Sequence, residues 1–271
     1  MTNTLSLARQ GTLSDEDVAR YRDQGFIHVP QLLSGEETAG FMAAATDLLD
    51  HQEKASWDEE GGNVMDWVME PENKSEAMRL LALHPRITAI AEQLAGVSLR
   101  MFKSELLLKR KVGSSPTPPH VDDVALPFTG RPVTLTAWVA LTDVPVERGC
   151  MSFLPGTHQR PAVPTSGTAA DWTPFAGEPE LVWEPRVTVP LRAGDCTFHH
   201  ARIVHMAGDN HGDADRVSLT TVYMDDEAVF RVCPIAEFAD DLGGMEPGQR
   251  LSGDRFPRAD TYRTQETEAH S

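Results

Sequence analysis

The feature of this 271-residue chain that most constrains its fold is the motif His120-Val121-Asp122, which directly follows Pro118-Pro119. Residues two apart in sequence cannot share a face of a helix, but they do share a face of an extended strand. The two prolines enforce an extended approach, because a residue that precedes proline is restricted to extended backbone. We therefore expect His120 and Asp122 to converge on one ion, with the next ligand supplied by a distant strand.

Two imidazoles and one carboxylate form the facial triad by which non-haem Fe(II) oxygenases bind their metal while leaving other positions open. His205, far downstream, would complete this set, and Arg216 beyond it would suit a dicarboxylic acid. Asp123 competes with Asp122, but neighbours on a strand point to opposite faces, which favours Asp122. The third ligand stays open on spacing alone, because the chain has 10 histidines. The other candidates are His158, His199, His200 and His211.

Composition narrows the class of protein. A net charge of −17 argues against nucleic acid, whose phosphates require Lys and Arg, and against anionic membranes. The N-terminus is polar, with no apolar run typical of a signal peptide or a membrane span. The 3 cysteines, Cys150, Cys196 and Cys233, form no CxxC pair, which favours a reducing compartment. We predict a soluble cytoplasmic protein, either monomer or homodimer, that binds a small molecule.

The first third of the chain carries mainly helical signals. Ser14 and the acidic residues after it predict a helix N-terminus, and Gly25 predicts the end of that helix. Ser34 and Glu37 form a capping box ahead of a helix over residues 36–51. The remaining signals predict a strand over residues 26–29, a loop containing Gly61-Gly62, and helices over residues 75–83 and 85–94, the last ending at Gly96.

After Gly96 the pattern changes to strands separated by Gly and Pro turns. Helices followed by strands favour an α+β fold, mainly β, whose sheets are backed by the N-terminal helices. We predict one domain over residues 1–251, with a helical part over 14–96 and a β core over 97–232. Residues 252–271 are predicted to be a disordered tail, because apolar residues are scarce there. The strands are predicted over residues 98–109, 133–141, 187–191, 196–198 and 217–224.

Alternation of side chains indicates that the β core encloses a polar cavity. In the last strand Arg216 and Ser218 share a face with Thr220 and Val222, and we expect them to point inward; an arginine at a strand start can also simply face water. Residues 133–141 have an apolar outer face and a mixed inner face. The outer face is Val133, Leu135, Ala137, Val139 and Leu141, and the inner face is Thr134, Thr136, Trp138 and Ala140.

A long segment over residues 161–185 is too long for an ordinary connection. It contains Trp172, Phe175 and Trp183, and it predicts either a lid over a binding site or a surface loop held down by its aromatic side chains. Trp172 and Phe175 could join Met65 and Trp67 in lining an apolar pocket for a flat polycyclic substrate, or all four could pack as ordinary core.

Several blocks of the chain resemble the phytanoyl-CoA dioxygenase family of Fe(II)/2-oxoglutarate-dependent oxygenases. Together they extend over nearly all of the chain to about residue 230, and the longer blocks match in both order and spacing. The resemblance implies a double-stranded β-helix, a jelly-roll of the cupin type, flanked by helices. The blocks are DVARYRDQGFIHVP over residues 17–30, Leu107-Leu108-Lys109, His120-Val121-Asp122, WVALTDVPVERGCMSFLPGTH over 138–158, and FHHARIVHMAGDN over 198–210 with the R-x-S-x-T-x-x-Y that follows.

This resemblance implies roles for individual residues. His120, Asp122 and His205 would be the iron ligands, and Arg216 would bind the distal carboxylate of 2-oxoglutarate. Ser218, Trp138 and Lys109 would support the same co-substrate. Val121 stands where the family often has glutamine, so polar help from that position is lost.

The implied activity is oxidation of a small-molecule secondary metabolite by Fe(II), 2-oxoglutarate and dioxygen, as in polyketide or anthracycline tailoring. Related halogenases leave the position of Asp122 empty for chloride, so a carboxylate here argues against halogenation. Hydroxylation, desaturation, epimerisation and ring closure all stay open, because each begins with the same hydrogen abstraction. The alternatives are a cupin-like metal isomerase or a protein that binds a small ligand without oxidising it; a pure interaction module is disfavoured.

Overall fold

The N-terminal helices begin and end where their capping residues stand. In this computed structural model, which describes residues 12–111, 113–129, 134–160, 174–233 and 242–263, helix α1 covers Asp15–Gln24 and is capped by the Ser14 hydroxyl. Gly25 ends α1 at φ 85°, and a Cβ there would lie 2.4 Å from the imidazole of His158. Helix α2 covers Gly35–His51 and has the predicted capping box of Ser34 and Glu37. The other helices are α3 (Glu76–Ala82), α4 (Pro85–Ala95) and the short α5 (Pro174–Gly177).

The strands follow in two layers. In chain order they are β1 (Phe26–Val29), β2 (Ala55–Glu59), β3 (Gly62–Met69), β4 (Leu99–Lys109), β5 (Thr117–His120), β6 (Phe128–Thr129), β7 (Leu135–Ala140), β8 (Met151–Phe153), β9 (Val187–Val189), β10 (Cys196–His200), β11 (His205–Ala207), β12 (Arg216–Asp225) and β13 (Val229–Phe230). The major sheet has the order β1-β10-β7-β12-β4-β3-β2, and the minor sheet has the order β5-β11-β8-β9. A small ribbon pairs β13 with β6. This is the predicted double-stranded β-helix.

The two faces of β7 separate two hydrophobic clusters, as the alternation predicted. Leu135, Ala137 and Val139 pack with helical residues such as Ile87 and Ile90. Trp138 and Ala140 instead pack with Phe153 and Val189 of the minor sheet. One face of the major sheet is therefore covered by the helices, and the other encloses the space between the sheets. Val133 lies outside the described residues.

The loop predicted around Gly61-Gly62 is wrong in extent, because a hairpin of β2 and β3 stands there. Asp66 to Met69 of β3 pair with Leu108 to Glu105 of β4, so the hairpin extends the major sheet. Alternate residues of β3 are buried, and pairing with a strand far along the chain is what makes that pattern a strand. Within the predicted helical part over 14–96, the strand over residues 26–29 was predicted, whereas β2 and β3 were not, and all three strands join the β core over 97–232 in the major sheet.

The predicted disordered tail is wrong for residues 252–263, which pack against the β core. Phe256 is buried, and its ring stacks on Phe102 at 5.9 Å. Arg258 pairs with Asp226, and Ala259 is fully buried. A few well-placed contacts therefore order a segment whose composition is polar. Residues 264–271 lie outside the described part of the chain. No helix among the described residues is long and apolar enough to cross a membrane.

Candidate active site

Three candidate metal ligands meet at one end of the minor sheet. His120 ends β5 and His205 begins β11, and the two are direct cross-strand partners. The Asp122 Oδ1 atom lies 3.9 Å from His120 Nε2 and 3.6 Å from His205 Nε2. One ligand atom from each residue lies within 4.8 Å of the other two. The extended backbone reaches Val121, and Asp122 then begins a 3-10 turn over Asp122–Ala125, a detail that the sequence did not predict.

Backbone hydrogen bonds set the tautomer of both imidazoles. His120 Nδ1 lies 2.8 Å from Pro118 O, and His205 Nδ1 lies 3.1 Å from Ile203 O. A carbonyl oxygen only accepts, so each Nδ1 carries the proton and donates it. Each Nε2 therefore presents a lone pair toward Asp122 and the shared centre, as a metal-binding histidine requires.

The protonation states also fit a divalent metal. Burial lowers the pKa of His120 and of His205, so both imidazoles are neutral at neutral pH. Burial would raise the pKa of Asp122, but the surrounding imidazoles, His205 first, outweigh it and lower the pKa. Metal ligands must be neutral imidazole and ionised carboxylate, and these three residues are already in that state. Two nitrogens and one oxygen are the donor set of an Fe(II) facial triad, so the residues fit iron.

The triad opens into a cavity of about 640 Å³. This volume lies in the range of sites that bury most of a drug-sized ligand. Its lining includes Thr117, Trp138, Met151, Ala207 and Arg216. Its wall toward the hairpin is formed by Trp57, Met65, Trp67, Lys103 and Glu105.

Arg216 is a buried cation without an acidic partner in the part of the chain that the structure describes. Its side chain is 2% exposed and lines the cavity, which confirms its predicted inward direction and excludes the alternative that it faces water. Nη1 donates to Gly149 O at 2.6 Å, while Nε has no partner among the described residues. The guanidinium lies 5.3 Å from the centre of the Trp138 ring. Burial lowers the pKa of Arg216 to about 10, which leaves it charged at neutral pH. A buried charge of this kind is energetically costly, and an anionic ligand bound to it would offset that cost.

The other predicted co-substrate residues behave differently from one another. Trp138 lines the cavity, as its strand face predicted. Ser218 is fully buried on the strand of Arg216, its hydroxyl has no partner among the described residues, and it is not part of the cavity wall. Lys109 is predicted to support the co-substrate, and among the described residues it reaches the cavity lining through Thr117. Its ammonium is fully buried outside the cavity wall and donates to Val64 O, Ser115 O and Thr117 Oγ1.

The rival histidines are engaged elsewhere, apart from His199. His158 Nε2 contacts Arg22 O, and His200 Nδ1 accepts from the Arg202 amide. His211 is exposed and lies beside Asp209. His199 is buried, and its Nε2 lies 3.3 Å from Asp122 Oδ2. The geometry therefore selects His205 as the third candidate ligand and gives His199 a place beside the carboxylate.

Several side chains contact the triad in ways that the sequence did not predict. Thr136 Oγ1 donates to Asp122 Oδ2 at 2.7 Å, and the Trp57 ring meets His120 edge-on at 6.1 Å. Neither contact had a signal in the sequence beyond the inward face of Thr136. Met65 and Trp67 do line the cavity, as predicted. Phe175 packs instead against a cluster containing Leu181, and Trp172 lies outside the described residues, as does most of the segment predicted to be a lid.

The family model described as phytanoyl-CoA dioxygenase (PhyH) matches residues 21–218. The chain belongs to the phytanoyl-CoA dioxygenase family. The match confirms the family predicted from the motifs. With it come the enzyme class, a Fe(II)/2-oxoglutarate-dependent oxygenase, and the cofactor set of iron, 2-oxoglutarate and dioxygen. The predicted alternatives, a cupin-like isomerase and a non-oxidising binding protein, lose their support.

Curated relatives agree with this assignment at low identity. The chain is 25% identical over 213 residues to phytanoyl-CoA dioxygenase domain-containing protein 1 of Mus musculus, covering 72% of this chain and 71% of the relative. It is 23% identical over 236 residues to the peroxisomal phytanoyl-CoA dioxygenase of Rattus norvegicus, covering 78% and 68%.

Two solved structures are more similar. The epimerase SnoN from nogalamycin biosynthesis, solved with Fe3+, α-ketoglutarate and nogalamycin RO, is 49% identical, with a TM-score of 0.84 and coverage of 90% of this chain and 98% of SnoN. The α-ketoglutarate-dependent carbocyclase SnoK from the same biosynthesis is 40% identical, with a TM-score of 0.85 and coverage of 94% and 99%. EctD from S. alaskensis, at 19% identity and a TM-score of 0.71, shares the fold alone.

Proposed function

We propose that this enzyme oxidises a C–H bond of a polycyclic polyketide in antibiotic biosynthesis, with iron held by His120, Asp122 and His205 and 2-oxoglutarate held by Arg216. The observation that carries the proposal is the buried guanidinium of Arg216, which shares one cavity with the triad and has no carboxylate partner among the described residues. A planar guanidinium can bind a carboxylate through two parallel hydrogen bonds. A keto diacid with one end on the metal and the other at Arg216 fits that arrangement.

When bound, iron with 2-oxoglutarate and dioxygen supplies the oxidant that removes a hydrogen atom from the substrate. The protein's own residues bind and orient the reactants and keep water out. Trp138 covers the guanidinium of Arg216 and helps to exclude water from it. His120 and His205 donate from Nδ1 to Pro118 O and Ile203 O, and these hydrogen bonds orient each ring so that its Nε2 lone pair faces the metal position.

A flat aromatic substrate is supported by the cavity wall nearest the hairpin. Trp57, Met65 and Trp67 give that wall apolar and aromatic surface, and Trp57 also lies against His120. Aromatic surfaces stack favourably on one another. The two most similar solved structures described above act in nogalamycin biosynthesis, and one was solved with nogalamycin RO. We therefore place a substrate of the anthracycline type in this cavity.

A substrate panel tests the proposal. Purified enzyme would be incubated with Fe(II), ascorbate, 2-oxoglutarate and air, together with anthracycline glycosides and, in a parallel arm, long-chain acyl-CoA thioesters. We expect succinate release and product formation with anthracyclines only. Product mass then narrows the outcome: epimerisation leaves the mass unchanged, hydroxylation adds an oxygen atom, and ring closure and desaturation each remove two hydrogen atoms. NMR of the product distinguishes a new ring from a new double bond. Turnover of acyl-CoA without turnover of anthracyclines would contradict the proposed substrate class.

A further inference from the structure

The two carboxylate oxygens of Asp122 have different surroundings. Oδ1 faces the imidazoles, at 3.9 Å from His120 Nε2 and 3.6 Å from His205 Nε2. Oδ2 points the other way, accepts a hydrogen bond from Thr136 Oγ1 at 2.7 Å, and lies 3.3 Å from His199 Nε2. One oxygen is therefore free for a metal, while its twin is already engaged by two protein groups.

The two groups that engage Oδ2 stand side by side on the major sheet. Thr136 of β7 and His199 of β10 are direct cross-strand partners. Such partners place their side chains on the same face within about 5 Å of each other. Both are buried, at 3% and 2% exposure, on strands inside a seven-stranded sheet. Asp122 itself begins a 3-10 turn that follows the minor sheet, so the contact ties a ligand-bearing turn to the opposite layer.

The direction of the hydrogen bonds follows from the chemistry of the groups. An ionised carboxylate only accepts, so His199 must carry its proton on Nε2 to interact favourably with Oδ2. His199 Nδ1 is buried and has no partner among the described residues, as expected for the ring nitrogen that lacks a proton. Thr136 donates its hydroxyl proton to the same oxygen.

We propose that Thr136 and His199 are positioning residues that hold Oδ2 of Asp122 and so present Oδ1 as the single carboxylate ligand of the metal. This inference rests on the metal site of the proposed function but does not depend on the substrate. Without the pair, the carboxylate can rotate, bind through both oxygens or turn away. Partners of this kind behind metal ligands typically contribute about 10- to 100-fold to metal affinity.

Metal affinity is the first readout, measured by titrating the protein with Mn(II) and following free Mn(II) by electron paramagnetic resonance without substrate. Thr136→Val removes the donor but keeps the shape, and Thr136→Ser restores it. His199→Leu removes the other donor, His199→Gln places an amide nitrogen near the position of Nε2, and His199→Asn is too short to reach. We expect the Mn(II) Kd to rise about 10-fold or more in the Val, Leu and Asn variants and to stay within about 3-fold of wild type in Ser and Gln.

The second readout is the visible charge-transfer band of the anaerobic complex with Fe(II) and 2-oxoglutarate, which responds to carboxylate binding mode. We expect a shifted or weakened band in Thr136→Val and a band like wild type in Thr136→Ser. Circular dichroism checks that each variant is folded, and the Val and Ser pair decides the matter if His199→Leu does not fold.

The inference is overturned if Thr136→Val and Thr136→Ser have the same Mn(II) Kd and the same band. It is equally overturned if His199→Asn binds as tightly as His199→Gln. The Mn(II) Kd can change in the Thr136 variants as expected while the wild-type enzyme releases no succinate with any anthracycline. That result would uphold the positioning pair and contradict only the proposed substrate.

Discussion

Arg216 is a buried charge that forms no ion pair with a carboxylate of the described residues. Burial of an unpaired charge is costly, and the cost is offset only when a ligand supplies the opposite charge. The hydrogen bond to Gly149 O fixes one arm of the guanidinium and leaves others for that ligand. The residue is thus more informative about the co-substrate than any of the metal ligands.

Arg216→Ala should abolish 2-oxoglutarate binding, because it removes both the charge and the paired donors. Arg216→Lys keeps the charge but loses the planar fork, and we expect a rise in Kd for 2-oxoglutarate of at least about 10-fold. The measurement is the anaerobic charge-transfer band as 2-oxoglutarate is added to Fe(II)-loaded enzyme. Mn(II) affinity serves as the control and should stay unchanged; an unaltered band in Arg216→Ala would contradict the assigned role.

His200 predicts a specific loss of stability in mild acid. Burial, with help from nearby His158 and Arg202, lowers the pKa of His200 to about 4, below its ordinary value of 6.5. The neutral form accepts a hydrogen bond from the Arg202 amide. Between pH 6.5 and about 4, His200 is protonated in the unfolded chain but stays neutral in the folded chain. The free energy of unfolding therefore has its full value above pH 6.5 and decreases as the pH falls toward 4.

From pH 6.5 to about pH 5 this loss should amount to about 2 kcal/mol for His200 alone. His200→Gln, which cannot titrate, should show a correspondingly flatter dependence of the free energy of unfolding on pH. Urea denaturation of the metal-free proteins at several pH values measures both. Parallel curves for the variant and the wild type would show that His200 does not contribute.

Among the elements, the hairpin of β2 and β3 contributes aromatic and apolar side chains to the cavity wall. It joins the edge of the major sheet through β4 and carries Trp57, Met65 and Trp67. Its register shifts between Trp57 and Asp58, where one strand gains a residue over the other. Such a bulge twists the strand and redirects a side chain. Trp57 lies opposite this bulge, and its ring contacts the ring of His120.

Trp57→Ala should raise the KM for an aromatic substrate by up to about 10-fold, the effect of losing one aromatic contact. The affinity for 2-oxoglutarate should change little, because the contacts of Arg216 are with Gly149 O and the Trp138 ring and do not include Trp57. Steady-state kinetics with each compound varied separately distinguishes the two effects. The matched control is Trp183→Ala, since Trp183 is 87% exposed and is not part of the cavity wall. Equal effects of the two substitutions would argue against a substrate role for the hairpin.

At the scale of the whole molecule, residues 231–233, which follow β13, contact the backbone of the turn that begins at Asp122. Arg231 donates to Asp123 O and Leu126 O, and the Cys233 thiol contacts Val124 O. The Phe230 amide in turn donates to Gln249 O, which connects that strand to residues 242–263. Residues far from the predicted metal ligands in sequence therefore stabilise the turn that begins at Asp122.

Phe256→Ala should lower the free energy of unfolding by about 3 kcal/mol or more, as expected for a buried phenylalanine. The ring is 3% exposed and stacks on Phe102, so its removal leaves a cavity. Urea denaturation measures the change, and Val232→Ala, at a position that is 71% exposed, is the control. A change within about 0.5 kcal/mol for Phe256→Ala would return residues 252–263 to the disordered tail that composition predicted.

Local patterns determined much of this fold and part of its site. The caps at Ser14 and Ser34, the alternation in β7 and the extended approach to His120 were readable because each depends on residues a few positions apart. Those interactions act within one turn or one strand, so they operate wherever the segment lies in the molecule.

Contacts between distant segments decided the rest. His205 is distinguished from the other candidate histidines only by the pairing of β11 with β5. The position of the Lys109 ammonium depends on its hydrogen bonds to Thr117 and to the backbone of Val64 and Ser115. The hairpin became strands by pairing with β4, and Thr136 met His199 only through the register of β7 and β10. Strand pairing brings together residues that no local propensity can link, because its energy arises only after the chain has folded back on itself.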